Sequence, residues 1–374
     1  VLTRRGLRFA EMLGVKEQLL SYTVPVYGRT MHDLNGTTTY TPYGREGECN
    51  FSVDRSKLNE FWIDEAEKAG ASIHFDRALS LEHTSLEARF HPHVLGGTSP
   101  LPGSTPLLHR FSGREAFRCL ITEVQQMVSG HFDTNHPPDT AVIGCDGAGS
   151  RLRYALSHAG VLSFSEELIG HDYKELTFPA LPTSDGQWGN FVMHNESLHI
   201  WPRGDFFLMG LANLDGSFTG TIYASNGQSD ENKTAEVTFP SITKDEATAR
   251  AFLSKYFPDA QLGPNAAAEL ISNPQSRLGS VRCNTHTAVV SGVPYLLVGD
   301  AAHAIVPFFG QGCNCGFEDC VVLDEHLQDK SRPLGEALLH SLCHPTSSAV
   351  AFRAYSAQRL ADTDAIADMA LDNF

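Results

Sequence analysis

The sequence predicts an α/β chain of two domains, one built on buried strands that end in Gly-Asp turns and one on an antiparallel sheet. Three observations carry this expectation. The apolar runs Ala141-Val142-Ile143-Gly144-Cys145 and Tyr295-Leu296-Leu297-Val298 each break into a glycine beside an acid, Asp146-Gly147 and Gly299-Asp300. Leu198 to Ser225 alternates apolar and polar residues around Arg203-Gly204-Asp205 and Asp215-Gly216, the pattern of a meander with tight turns. The 374 residues, 41% hydrophobic and 19% charged, are enough for two sizeable cores.

In chain order, Leu7 to Leu20 reads as a helix that Gly14 breaks or bends. Tyr22 to Tyr43 is strand-like, with Asn35-Gly36 as a two-residue hairpin signal. Lys57 to Ala69 has helical periodicity, and a short strand is expected at Ala71 to Phe75. From Ser80 to His109 the composition turns to Gly, Pro, Ser and His, as in an exposed insertion. Phe117 to Val128 and Lys244 to Tyr256 read as helices, flanking the strand at Ala141 and the meander. A Ser/Asn-rich link lies near Gly227 to Lys233, and Ser347 to Phe374, free of internal Gly and Pro, is a helix by propensity.

Composition excludes several function classes. Lys and Arg number 28 against 44 Asp and Glu, a formal net charge of −16 that repels a phosphate backbone, so nucleic acid is not an expected partner. The eight Cys are scattered without a disulfide framework, which suits a reducing compartment. Cys313, Cys315 and Cys320 lack the paired spacing of a zinc site, and no metal is expected. No apolar stretch approaches the roughly 18 residues of a membrane span. The amino end has neither an initiator Met nor a signal-peptide pattern, so the chain is expected to start within a longer protein.

Each Gly-Asp junction sets a carboxylate at a strand's carboxyl end, where it can accept a hydrogen bond from a sugar hydroxyl while glycine admits close approach. Alone, either is equally an ordinary tight turn. After Asp300 the chain runs through Pro307 to Gly310-Gln311-Gly312-Cys313-Asn314, glycine-rich backbone opening a helix suited to an anionic or carbonyl ligand.

The pair of junctions resembles the second and third fingerprints of the group A flavoprotein monooxygenases. The segment Gly299 to Gly312, continuing as Gly316-Phe317-Glu318-Asp319-Cys320, resembles the kynurenine 3-monooxygenase family in particular. So do Leu198-His199-Ile200-Trp201-Pro202-Arg203, Lys255-Tyr256-Phe257-Pro258-Asp259-Ala260 and Asp364-Ala365-Ile366-Ala367-Asp368-Met369. The matches spread over nearly the whole chain apart from Ser80 to Pro138. Two departures stand out. The family's first fingerprint, Gly-x-Gly-x-x-Gly, occurs nowhere in the chain, and Cys313 and Cys315 replace the family's Met and Ala.

The resemblance implies a Rossmann-like FAD-binding domain of the aromatic hydroxylase type lacking its first βαβ element (1–20, 50–155 and 281–340), a substrate-binding sheet domain (21–49 and 156–280) and a C-terminal helical segment (341–374). It implies cofactor contacts from Arg55, Asp146, Gly147, Asp300, Pro307, Gly310, Gly312, Cys313 and Asn314. Arg29 and Tyr43, fourteen positions apart, would hold the substrate's carboxylate, a role suited to a guanidinium fork and a phenol. Asn373 would reach the same amino-acid group, while Leu198, Met209, Tyr223 and Phe308 would line the ring pocket. Tyr223 stands where the family more often has Phe. Read alone, Arg29 is a solvated arginine on a strand, Arg55 and Asn373 are helix-end residues, and the pocket positions are plain core.

The implied reaction is hydroxylation of L-kynurenine to 3-hydroxykynurenine with NADPH and O2, through a flavin C4a-hydroperoxide, in tryptophan catabolism towards NAD. The flavin carries the chemistry, so no catalytic side chain is expected; His303 is weighed as an acid/base group and read as packing beside the flavin loop. The implied location is the cytosolic face of the mitochondrial outer membrane, through a C-terminal segment beyond this sequence. The alternatives are a group A hydroxylase for another aromatic, or a non-catalytic fragment unable to hold FAD.

Overall fold

The computed structural model describes residues 1–73, 75, 78–81, 88–91, 141–182, 188–228, 236–290, 292–327 and 345–372. The expected helix at Phe117 to Val128, most of the insertion and link, and Asn373 lie outside them. The chain divides into two compact units, Val1–Glu65 with Glu167–Gly279, and Ala66–Glu166 with Ser280–Phe374.

The first unit opens with α1 (Arg4–Met12) and α2 (Lys16–Leu20), separated where Gly14 takes φ 73°. Strand β1 (Thr23–Val26) pairs antiparallel with β4 (Asn50–Val53), while β2 (Gly28–His32) and β3 (Thr38–Pro42) form the expected hairpin. Its loop is longer than the two-residue signal suggested. Gly36 N–H reaches Asp33 O at 3.1 Å with Gly36 at φ 83°, and Asp33 N–H reaches Thr37 O at 2.9 Å. Asn35-Gly36 thus closes a three-residue loop whose last residue is left-handed. Helix α3 (Arg55–Lys68) follows, with the Asp54 carboxylate accepting the Lys57 N–H at 2.9 Å.

Strands β5 (Ala78–Leu81) and β6 (Ala88–His91) pair antiparallel. Part of the segment read as an insertion is therefore a hairpin. The strand expected at Ala71 to Phe75 does not form among the described residues; without a ladder, an extended segment has no backbone partners to stabilise it. Next come β7 (Val142–Gly144), α4 (Arg151–His158), the long β8 (Phe164–Phe178), β9 (Leu181–Pro182) and β10 (Trp188–Asn190).

The meander is β11 (Ser197–Pro202), β12 (Phe207–Ala212) and β13 (Phe218–Ser225). It sits in a seven-stranded sheet of order β14-β8-β13-β12-β11-β2-β3, in which β14 (Ser276–Cys283) is an edge and β11 pairs parallel with β2. Helices α5 (Phe239–Ile242), α6 (Glu246–Tyr256) and α7 (Ala266–Ser272) supply Phe239, Phe252, Leu253 and Leu270 to a core with Leu176, Phe178, Trp201, Leu208, Phe218 and Ile222.

In the second unit, β15 (Thr287–Val290), β16 (Val293–Leu297) and β7 form a sheet in that order. One core gathers Leu152, Leu156, Tyr295, Leu297, Ala301 and Ala302; another joins Leu296 and Val322 to Phe352 and Tyr355. Helices α8 (Asp300–His303), α9 (Gly312–Leu327) and α10 (Pro345–Asp372) complete it. No helix among the described residues is long and apolar enough to cross a membrane.

Candidate functional site

Strand β16 pairs parallel with β7, Leu296 opposite Ile143 and Leu297 opposite Gly144, and Val298 N–H reaches Gly144 O at 3.0 Å. Both Gly-Asp junctions therefore leave one sheet at the same carboxyl-end edge, where ligands of open α/β sheets bind. At the first, Asp146 caps α4. Its carboxylate accepts from Ser150 Oγ at 2.6 Å and from the N–H groups of Arg151 and Leu152 at 2.7 and 3.2 Å. Asp146 is exposed, and Gly147 at φ 78° makes the turn that only glycine takes freely.

At the second junction Gly299 lies at φ 57° and ψ −145°, and the exposed Asp300 opens the single turn α8. Pro307 begins a 3-10 turn that carries the half-buried Phe308 and ends at Gly310, φ 63°. Asn314 Nδ2 donates to Gly310 O at 3.1 Å, folding that loop onto the start of α9. A Cβ added to Gly312 would lie 4.0 Å from Asp300 Oδ1. Asp300, Gly310, Gly312, Cys313 and Asn314 are thus brought together. An exposed acid beside the amino end of a 16-residue helix fits a ligand that offers a hydroxyl to the acid and a carbonyl or anionic edge to the dipole, as FAD does.

Sequence reasoning missed the residue joining the two turns. Arg153, fully buried, donates from Nη1 to Ala301 O at 2.8 Å and from Nη2 to Ala148 O, and forms an ion pair with Glu166 at 2.6 Å. Its guanidinium lies 4.8 Å from the Phe164 ring centre. No local signal marks it, because its partner Ala301 lies 148 residues on.

His303, Cys315 and Asp319 offer three buried ligand atoms within 4.8 Å of one another. Arg359 already donates to both Asp319 Oδ1 at 2.8 Å and Cys315 Sγ at 3.1 Å, so a guanidinium supplies the positive charge there. Burial pushes the His303 imidazole down, but hydrogen bonds to Asp319 and Cys315 outweigh it and raise the pKa to about 10.

In the first unit the sheet's register organises the remaining positions. Leu198 faces Arg29, Ile200 faces Met31 and Met209, Met209 faces Thr221, and Phe207 faces Tyr223, which faces Tyr173. Because alternate residues share a side, Arg29, Leu198, Met209 and Tyr223 lie on one face. Trp201, Leu208 and Ile222 point the other way into the core. Met31, Ile200, Phe207, Thr221 and Tyr173 share the first face and escaped sequence reasoning, although their alternation was the available signal. Tyr223 stacks on Phe207 with ring centres 4.4 Å apart.

Tyr43 follows β3, its N–H on Tyr27 O at 2.7 Å. Burial pushes its phenol pKa up while the charge of Arg29 pulls the other way, and Arg29 pairs with Thr41, two residues before Tyr43 on the same side of the hairpin. Arg55, the exposed first residue of α3, reaches Glu175 at 3.4 Å. Glu175 lies two residues from Tyr173 and on the same sheet face.

Residues 140–353 match the model of the FAD-binding domain family. The chain is similar to kynurenine 3-monooxygenases of Myxococcus xanthus, 32% identical over 377 residues with 100% of this chain and 67% of that protein covered, and Candida albicans, 31% over 379 residues with 99% and 68% covered. That of Caenorhabditis briggsae is 33% identical over 392 residues, covering 100% and 70%. Among solved structures the fold resembles Klebsiella pneumoniae HpxO complexed with FAD and uric acid, at a TM-score of 0.56 and 15% identity over 100% of this chain and 77% of that one. It also resembles 2-methyl-3-hydroxypyridine-5-carboxylic acid oxygenase, at 0.55 and 15% over 100% and 81%.

A flavin fold of the aromatic hydroxylase type, with two acid-bearing turns at one sheet edge, defines a flavoprotein monooxygenase that uses FAD and acts on a small molecule. Within that class the chain belongs to the kynurenine 3-monooxygenase family.

Proposed function

We propose that the protein hydroxylates L-kynurenine to 3-hydroxykynurenine, consuming NADPH and O2, as a step of tryptophan catabolism towards NAD. The observation that carries this reading is the sheet face that Arg29, paired with Thr41 two residues before Tyr43, shares with Leu198, Met209 and Tyr223. The guanidinium forks onto the substrate carboxylate, and Tyr43, held protonated by burial, donates a further hydrogen bond. Asn373 contributes to the same amino-acid end. Leu198, Met209 and Tyr223 take the aromatic ring and exclude water. Asp146, Gly147, Asp300, Pro307, Gly310, Gly312, Cys313 and Asn314 hold FAD, which when bound supplies the oxygen-activating chemistry. No protein base is assigned, since the substrate's aromatic amine activates its own ring.

A second reading, a hydroxylase for a different aromatic, is favoured by the Tyr223 hydroxyl on that face. Turnover decides between them. NADPH oxidation coupled to 3-hydroxykynurenine formation, abolished in Arg29→Ala, is the expected result. Undiminished Arg29→Ala turnover of an aromatic without an amino-acid group would establish the second reading. By family resemblance, a place on the cytosolic face of the mitochondrial outer membrane accompanies the first, testable by cell fractionation.

A further inference from the structure

Asp319, on α9, is fully buried and bonded on both oxygens. Oδ2 accepts the N–H of Gly299 at 2.7 Å and the Nε2–H of His303 at 2.6 Å, and Oδ1 accepts Arg359 Nε at 2.8 Å. Arg359, from α10, is also fully buried. It donates to Glu318 Oε2 at 2.6 Å, to the Cys315 carbonyl at 3.4 Å and to Cys315 Sγ at 3.1 Å. One guanidinium thus grips three residues of α9, and one of them grips the turn ahead of Asp300.

That turn is a demanding one. Gly299 has a backbone conformation open to glycine alone, and its carbonyl accepts the N–H groups of Ala302 and His303 at 2.9 and 3.0 Å. The N–H of this tight, half-buried bend finds its partner in Asp319. Helix α9 passes close enough that a Cβ on Gly316 would lie 3.7 Å from Gly299 Cα. The same helix presents Gly312, Cys313 and Asn314 at its amino end. The bonds of Asp319 therefore fix the spacing between the Asp300 carboxylate and the start of α9.

We propose that Asp319, held by Arg359, is a positioning residue for the flavin, setting the Asp300 turn against the amino end of α9. This rests on the reading of Asp300 and the α9 loop as FAD contacts. A buried ion pair is weak evidence for stability, so its worth here lies in geometry: two charges fixed by several hydrogen bonds hold a turn more narrowly than apolar packing does.

The test uses the purified protein with FAD as the probe. Asp319→Asn and Arg359→Lys are compared with Ser356→Ala, which removes a buried α10 hydroxyl that accepts the His286 N–H at 2.9 Å and leaves Asp319, Arg359 and Gly299 themselves unchanged. Quenching of flavin fluorescence gives the dissociation constant, and thermal unfolding gives the midpoint. Asp319→Asn is expected to weaken FAD binding about tenfold or more, and Arg359→Lys, which keeps a cation, by less. Ser356→Ala should lower the midpoint and leave FAD affinity unchanged. Hydrogen exchange of the peptide around Gly299 in apoprotein should quicken in Arg359→Lys and not in Ser356→Ala, which serves if Asp319→Asn fails to fold. FAD affinity that falls in step with the midpoint across all three variants, or exchange at Gly299 unmoved in Arg359→Lys, overturns the proposal while FAD binding itself stands. Asp300→Ala with undiminished FAD affinity overturns the underlying flavin reading, and the proposal with it.

Discussion

The Arg153 guanidinium donates to the carbonyl of Ala301 at 2.8 Å, and through the same side chain to Ala148, so one buried cation ties the turn after Asp146 to the turn after Asp300. Removing it leaves two carbonyls without their donor and Glu166 without its counter-charge. Arg153→Met is expected to cost about 3 kcal/mol of stability or more. FAD affinity should fall at least about tenfold, since both acid-bearing turns lose their common anchor. Denaturant unfolding and flavin fluorescence titration measure the two effects.

Arg29→Ala should raise KM for kynurenine by roughly 100-fold with a smaller change in kcat, because a charge-assisted fork acts on bound substrate and reacting state alike. Tyr43→Phe, which removes one neutral donor, should raise KM by about tenfold or less. Steady-state NADPH oxidation against kynurenine concentration separates the two parameters.

A methyl group at Gly220 would lie 2.7 Å from Phe178 Cε2 and 3.0 Å from the Leu176 carbonyl. Phe178 is a fully buried ring in the first unit's core and the carbonyl is backbone, so neither yields easily. Gly220→Ala should cost about 1–3 kcal/mol. KM should hold, because Gly220 shares the side of Leu176, away from Arg29 and Leu198. Thermal unfolding and kinetics on the folded fraction check both halves.

The His303 pKa of about 10 exceeds the 6.5 of the unfolded chain. The stability it contributes is complete below pH 6.5 and is lost as pH climbs through about 10. Asp319, whose carboxyl is held low by His303, Arg359 and the Gly299 N–H against the cost of burial, contributes stability that is complete at neutral pH and lost only as acid protonates it, so it adds no slope in the alkaline range. Between neutrality and mild alkali the unfolding free energy should fall by on the order of 1 kcal/mol per pH unit, and His303→Gln should flatten that slope. Denaturant midpoints across this range supply the measurement.

Where the sequence was legible, the signal was local. The strands at Val142 and Tyr295 could be read because apolar runs end abruptly in Gly-Asp, and the meander because alternation survives through β11, β12 and β13. Gly14 and Gly36 marked breaks that the chain does make, although the hairpin loop holds one residue more than Asn35-Gly36 announced. What stayed hidden depends on partners far away along the chain. The parallel pairing of Leu198 with Arg29 joins segments 169 residues apart, and Asp319 gains its meaning only from Arg359 and Gly299. The expected strand at Ala71 to Phe75 failed for the same reason, since its propensity was local and its ladder had to come from elsewhere. The hairpin of Ala78–Leu81 and Ala88–His91 lay inside a stretch whose composition spoke only of exposure.

The seven-stranded sheet has a consequence for how such a chain can change over generations. Along β11, β12 and β13, alternate positions answer to different demands: Trp201, Leu208 and Ile222 keep the interior closed, while Ile200, Phe207, Thr221 and Tyr223 lie on the face that the proposed function gives to the substrate. On that reading, replacements at the half-buried alternate positions Ile200 and Thr221 reshape ligand preference without opening the core, so new substrates lie within reach of single substitutions on a scaffold that need not be rebuilt.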